Sequence, residues 1–200
     1  MAKKLFSREQ AFFSLGILVG LSILALARFI SYQPPTHYHA NFAVFINGER
    51  DKFDGPGFYE AVTACTTNDT LTPAHRAHMH NHVNNVTHVH EPAVTWGMFF
   101  ENIGYSIGAH HLATNTKIYS ETDSQAVRFI LNGEELDSVT NKVIESEDQL
   151  LVSVDKPNSN LSSQIKQIAN SAGEYNAKPD PASCSGASNQ FLDRLQSIYK

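Results

Sequence analysis

Apolar residues run from Ala11 to Ile30, and no residue between Gln10 and Ala27 carries a charge. Twenty residues of helix span about 30 Å, the thickness of a hydrocarbon core. The flank Met1-Ala-Lys-Lys-Leu-Phe-Ser-Arg8 is basic and is expected to stay on the cytoplasmic side. The pattern predicts a signal anchor over residues 1–30, with the rest of the chain outside the cytoplasm. Ala25-Leu26-Ala27 also fits a small-X-small cleavage site, so secretion after signal cleavage is the competing expectation. Pro34-Pro35 marks a stiff linker over residues 31–36.

Beyond the linker the period changes to two. His39–Ile46 alternates and is rich in β-formers, and Asn47-Gly48 is a two-residue hairpin signal with Glu49–Phe53 as the return strand. Asp54-Gly-Pro-Gly57 ends that unit, and Gly57–Pro73 reads as a surface loop with a helical turn near Tyr59–Ala64. Ala77–His90 reads as a second hairpin, turning at Val83–Val86. Thr95 can cap a helix running to Ile103, with Gly104 as its stop. Ser106–Asp123 reads as a polar connection. Strands follow at Ala126–Leu131, Glu134–Leu136, Lys142–Ile144 and Gln149–Val154, with a second Asn-Gly turn at Asn132-Gly133.

This order predicts an α+β domain over residues 37–156: a β-grasp-like (ubiquitin-like) mixed sheet packed on one helix, with an inserted histidine-rich hairpin. Residues 157–200 are expected to be a helical tail. Leu161, Ile165, Ile168, Ala169 and Ala172 share one helical face, and Phe191, Leu192, Leu195, Ile198 and Tyr199 suggest a last amphipathic helix, expected to dock on the domain, with a partner or the membrane surface as the alternatives.

The chemistry lies in the histidines. Eight of the ten fall between His37 and His90, and six form three His-X-His pairs: His37/His39, His78/His80 and His88/His90. Alternate strand residues face the same side, so each pair presents two imidazoles about 7 Å apart at the backbone. Neutral imidazole binds zinc, copper, nickel and iron, with copper or zinc favoured for an all-imidazole set. Whether the pairs converge depends on the hairpin loop. A two-residue turn at Asn84-Asn85 pairs His80 with Val89 and puts the two sets on opposite faces. An odd loop pairs His80 with His88 or His90 and gathers them, and is therefore expected. His82 is a weaker metal candidate near the turn, and His75 lies in the loop before the hairpin. His110-His111 reads as solvated loop, and Met79 as a core residue between two ligands.

Residues 1–30 hold Lys3, Lys4, Arg8 and Arg28 against Glu9, a net of +3, which leaves −8 of the total −5 for the remainder. That sign argues against nucleic acid as a partner and favours cations. Cys65 and Cys184 are the two cysteines, and in an oxidising compartment they read as one disulfide. No Cys-X-X-Cys, His-Glu-X-X-His or Gly-X-Ser-X-Gly occurs.

The pattern His37–Gly48, His78–His80, His88–His90, Thr95–Phe100 and Phe129–Gly133, with Asp180–Gly186 in the tail, resembles a group of uncharacterised membrane-anchored prokaryotic proteins. The resemblance covers most of the exported part. Some of that group are automatically labelled protein-disulfide isomerase. The residues themselves point to a membrane-anchored, extracytoplasmic transition-metal-binding protein acting in metal capture, buffering or delivery. Two alternatives stay open. One is a copper- or iron-dependent oxidoreductase using the same histidines. The other is a cell-surface adhesion or assembly module needing no metal, associating with itself or a surface partner.

Overall fold

A computed structural model of the chain describes residues 7–33, 36–59, 73–178 and 190–199. Cys65 and Cys184, the expected helical turn near 59–64 and the Asp180–Gly186 stretch lie wholly or largely outside the described residues. The chain divides into two compact units, Met1–Pro34 with Ser188–Lys200, and Pro35–Ala187.

In the first unit, α1 (Arg8–Ser31) is a continuous helix of 24 residues with a mean hydropathy of 2.2 over its most apolar window. Ser7 and Gln10 form a reciprocal capping box, satisfying two of the N–H groups that a helix start leaves without partners. Its apolar side chains are exposed, so it is long and apolar enough to serve as a membrane anchor or a signal sequence. The last helix, α5 (Gln190–Ser197), sits against the end of α1. Phe191 meets Phe29 edge-on at 6.3 Å, and the Arg194 guanidinium lies 5.9 Å from the Phe29 ring.

The second unit is α+β with a mixed sheet. Among the described residues the main sheet is built on β1 (Tyr38–Ile46), which returns through Asn47-Gly48 to β2 (Glu49–Arg50). Both turn residues have left-handed φ, 53° and 81°, as a type I′ hairpin requires. The return strand is two residues long instead of the expected five. Phe53 leaves the sheet with φ 50°, its N–H held by the Asp51 carboxylate, and its ring enters the core.

The inserted hairpin is β3 (Ala77–His78) and β4 (Val86–Val89). The second half supplies β8 (Ala126–Leu131), β9 (Glu134–Leu136) and β10 (Gln149–Asp155). Their order across the sheet is β3-β4-β1-β10-β8-β9, with β2 also on β1. β1 and β10 are parallel at the centre, with Val44 beside Val152, and the other pairings are antiparallel.

One face of this sheet packs on α2 (Trp96–Asn102), whose N-cap Thr95 accepts the Met98 N–H as expected. Trp96, Phe99 and Phe100 join Phe42, Val44, Phe129, Leu150 and Val152 in the main core. Gly97 allows the close approach, since a Cβ there would lie 2.6 Å from the Thr140 carbonyl oxygen. Gly104 ends the helix region with φ 80°.

Two expectations need correction here. The stretch after Gly104 is not a loop but a small three-stranded sheet, β5 (Ser106–Gly108), β6 (His111–Ala113) and β7 (Ile118–Ser120). Buried Ile107 and Leu112 pair across it and tie this polar stretch to the core. Lys142–Ile144 is not a strand; its ladder contribution is the single bridge from Val143 to Thr95.

The opposite sheet face carries Ala43, Phe45, Ile130 and Leu151, covered by Leu161 and Ile168. The tail there is two short helices, α3 (Ser162–Ile165) and α4 (Ala172–Ala177), not one long face. The break at Asn170-Ser171 is pinned by buried Asn41 of β1. Its Oδ1 accepts the N–H groups of Ser171 and Ala172 at 3.0 and 2.9 Å, and its Nδ2 donates to the Asn85 carbonyl and Ser171 Oγ.

Candidate metal centre

Strand alternation decides where the imidazoles go. In each His-X-His pair the middle residue faces the α2 side: Met79 and Val89 are buried in the main core, and Tyr38 packs against it. The Tyr38 hydroxyl donates to the Ile144 carbonyl at 2.6 Å. The flanking histidines therefore point to the other face.

Register then aligns them. His39 of β1 lies opposite His88 of β4, and His88 lies opposite His78 of β3, a row of three imidazoles across three strands. The hairpin connection is odd in length, seven residues from Met79 to Asn85, so the histidines gather on one face. The pairing differs from the expected one: His78, not His80, faces His88. The turn falls immediately after His80, where Asn81 and His82 take φ 52° and 59° and the Val83 N–H bonds the His80 carbonyl at 2.8 Å. Asn tolerates this left-handed backbone.

All six His-X-His imidazoles converge, as two groups of three. His37, His39 and His88 form one, and His78, His80 and His90 the other; within each, one nitrogen per ring lies within 4.8 Å of the others. His39 Nε2 and His88 Nδ1 are 3.0 Å apart, and His78 Nε2 and His80 Nε2 are 2.7 Å apart. Two imidazole nitrogens sharing one ion at about 2.0–2.1 Å stand about 3.3 Å apart at a tetrahedral angle. The triads are thus positioned to bind metal.

Burial sets the electrostatics. His39, His78, His80 and His88 are buried, while His37 and His90 form a half-buried rim. Desolvation, followed by repulsion from the neighbouring histidines, holds the His88 pKa far below its ordinary value. The same causes push His90 down to about 2. The rings of His88 and His90 therefore stay neutral at neutral pH, with lone pairs for a metal and no proton competing. Both His90 ring nitrogens are shielded from solvent with no hydrogen-bond partner among the described residues. A buried polar atom left so costs about 1–3 kcal/mol, which a bound ion would remove.

The tail contributes two residues that strand patterns do not reveal. Asn176 on α4 accepts the His39 backbone N–H at 2.9 Å and approaches His39 Nδ1 at 2.8 Å, both with Oδ1. An amide oxygen only accepts, so His39 carries its proton on Nδ1 and directs the Nε2 lone pair at the triad. Tyr175 places its ring 5.5 Å from His39 and 6.2 Å from His88. No local motif announces them, because they lie more than 130 positions from His39.

His82, His110 and His111 are not members of either triad. His82 is exposed at the turn, 4.8 Å from the Tyr59 ring. His110 is exposed and pairs with Glu121 at 2.6 Å, and His111 lies in β6. Glu91, next to His90, pairs with Arg76 at 3.3 Å. Comparison of the chain with family models, curated proteins and solved structures returns no match.

Proposed function

We propose that this protein is a membrane-anchored, extracytoplasmic transition-metal-binding protein that captures, buffers or delivers its ion through His37, His39, His78, His80, His88 and His90. One observation carries the reading: six imidazoles, from three strands and the residues just beyond their ends, meet as two triads. Solvated strand histidines have no reason to be buried together against the cost of desolvation. Copper and zinc suit the all-imidazole donor set best, with nickel and iron behind them. His82 belongs to the surroundings of this site, not to its ligands. The apolar α1 supports the anchor, and the basic flank supports export of the domain. The order β4-β1-β10-β8-β9, with parallel central strands and α2 across one face, supports a β-grasp-like plan. The Cys65–Cys184 disulfide remains part of this reading.

A second reading has its own support. Each triad supplies three ligands, and a three-ligand shell leaves a position for an exchangeable molecule, as catalytic metal sites require. That favours the oxidoreductase alternative over a metal-independent adhesion module.

Elemental analysis of the purified full-length chain in detergent tests the proposal, with His39→Ala and His88→Ala beside the wild type. Stoichiometric metal in the wild type and a lower metal content in both variants, which share one triad, is the expected result. Equal trace metal in all three preparations would end the proposal.

A further inference from the structure

The chain returns to its first helix at its other end. The compact unit that contains α1 is completed by Ser188–Lys200, so the domain from Pro35 to Ala187 is flanked in sequence on both sides by segments of that one unit. α5 meets α1 at its last turn. Phe191 packs on Phe29, and the Arg194 guanidinium lies 5.9 Å from the Phe29 ring and 6.0 Å from the ring of Tyr32, the residue that follows α1. Phe29 and Ile30 are the last apolar residues of α1. A span that begins at Ala11 leaves the hydrocarbon there, about 30 Å further on.

α5 has two unlike sides. Phe191 and Leu195 are one turn apart on one of them, and Asp193 and Ser197 are one turn apart on the other. Past Ser197 the chain continues in a turn, where the Tyr199 N–H bonds the Gln196 carbonyl at 3.1 Å. Leu195 is 37% exposed and Tyr199 91% exposed. Eight residues make a helix about 12 Å long, too short to cross a bilayer and able to lie along its surface. Tyrosine, with an apolar ring and a polar tip, suits the headgroup level. Arg28 and Arg194, at the same end of α1, place cations where lipid phosphates lie.

We infer that α5 is an interfacial helix. It lies in the headgroup–acyl boundary of the leaflet that α1 reaches with its C-terminal end, with Leu195 and Tyr199 in the lipid. The continuity of its apolar side with the exposed apolar surface of α1 at Phe29 and Ile30 carries the assignment. This rests on the reading of α1 as a membrane anchor and adds a second attachment, so that the metal-binding domain is held at the membrane by both ends of its chain.

The full-length chain is reconstituted into phosphatidylcholine vesicles whose acyl chains carry bromine, a short-range quencher of indole, either near the headgroup or near the chain end. Tyr199→Trp and Leu21→Trp place reporters beside α5 and in the middle of α1. The emission of the wild-type chain, whose single tryptophan, Trp96, is buried in the domain core, is subtracted. The expected result is a loss of Tyr199→Trp emission that is larger with bromine near the headgroup, and a loss of Leu21→Trp emission that is larger with bromine near the chain end. Adding Leu195→Glu to Tyr199→Trp should restore emission without changing the circular dichroism spectrum. Quenching that survives Leu195→Glu would overturn the placement of Leu195 in the lipid, and strongest quenching of Tyr199→Trp by the deep bromines would overturn the position at the boundary. An unquenched Tyr199→Trp beside a quenched Leu21→Trp would overturn the interfacial helix and leave the anchor standing, with α5 docked on the domain or on a second copy. An unquenched Leu21→Trp would overturn the anchor and the interfacial helix together.

Discussion

Asn176 Oδ1 sits 2.9 Å from the His39 backbone nitrogen and 2.8 Å from its ring Nδ1, across 137 positions of sequence. The backbone bond fixes which end of the amide faces the ring, because a main-chain N–H must meet an acceptor. Asn176 Nδ2 completes the arrangement by reaching Ser146 Oγ at 3.0 Å. A residue in the tail thus sets the tautomer of a strand histidine.

Replacing that amide tests the relationship. Asn176→Leu should weaken metal binding about 10- to 100-fold, the usual effect of losing the group that orients a metal-ligating histidine. Competition against a chelator of known affinity measures it. Unchanged affinity would show that His39 needs no such support.

Acid should destabilise the metal-free protein. The folded state holds His88 and His90 below their ordinary pKa, His90 at about 2, while the unfolded chain protonates them near 6.5. Below about pH 6.5 the unfolded state therefore binds protons that the folded state refuses. Stability should fall with decreasing pH, by up to about 1.4 kcal/mol per pH unit for each such histidine. Above about pH 7.5 both states are neutral and this contribution is flat. Urea unfolding of chelator-treated protein at pH 7.5, 6.5 and 5.5 reads the slope, and a pH-independent midpoint would contradict it.

Met79 separates a metal function from a structural one. It lies between His78 and His80 yet is fully buried in the main core. Met79→Leu should preserve metal stoichiometry and cost less than about 1.5 kcal/mol, as volume-conserving core exchanges do. Altered copper affinity in this variant would make the thioether a ligand.

Asn41 anchors α4 over the site. Asn41→Leu strips acceptors from the Ser171 and Ala172 N–H groups at a cost of about 1–3 kcal/mol for each group left buried. The variant should also weaken metal binding, because α4 carries Asn176. Thermal melts with and without metal separate the two effects. A variant as stable and as tight-binding as the wild type would remove Asn41 from this role.

Period-two patterning was enough to place β1, β8 and β10, and the two Asn-Gly turns marked their hairpins, because those signals are local. The same alternation put Met79 in the core and its flanking histidines on the other face. The exact partner of His88 was not legible. The parity of a loop decides which face a strand shows, whereas the register depends on where the chain finds a left-handed turn, here at Asn81 and His82. The small sheet around Ile107 and Leu112 was hidden because its strands have three residues each and mostly polar neighbours. The tail's role was hidden for a different reason. The contacts of Asn41 with Ser171 and of His39 with Asn176 are made between segments that sequence patterns treat separately.

Tyr38, Met79 and Val89 alternate with the ligands and are packed on the other side of the same strands. The backbone beneath these histidines cannot shift without drawing their neighbours out of close-packed hydrocarbon. The grouping of the imidazoles is therefore inherited from folding, and an arriving ion would meet donors already in position. Binding there would require loss of the ion's water shell and little rearrangement of the polypeptide.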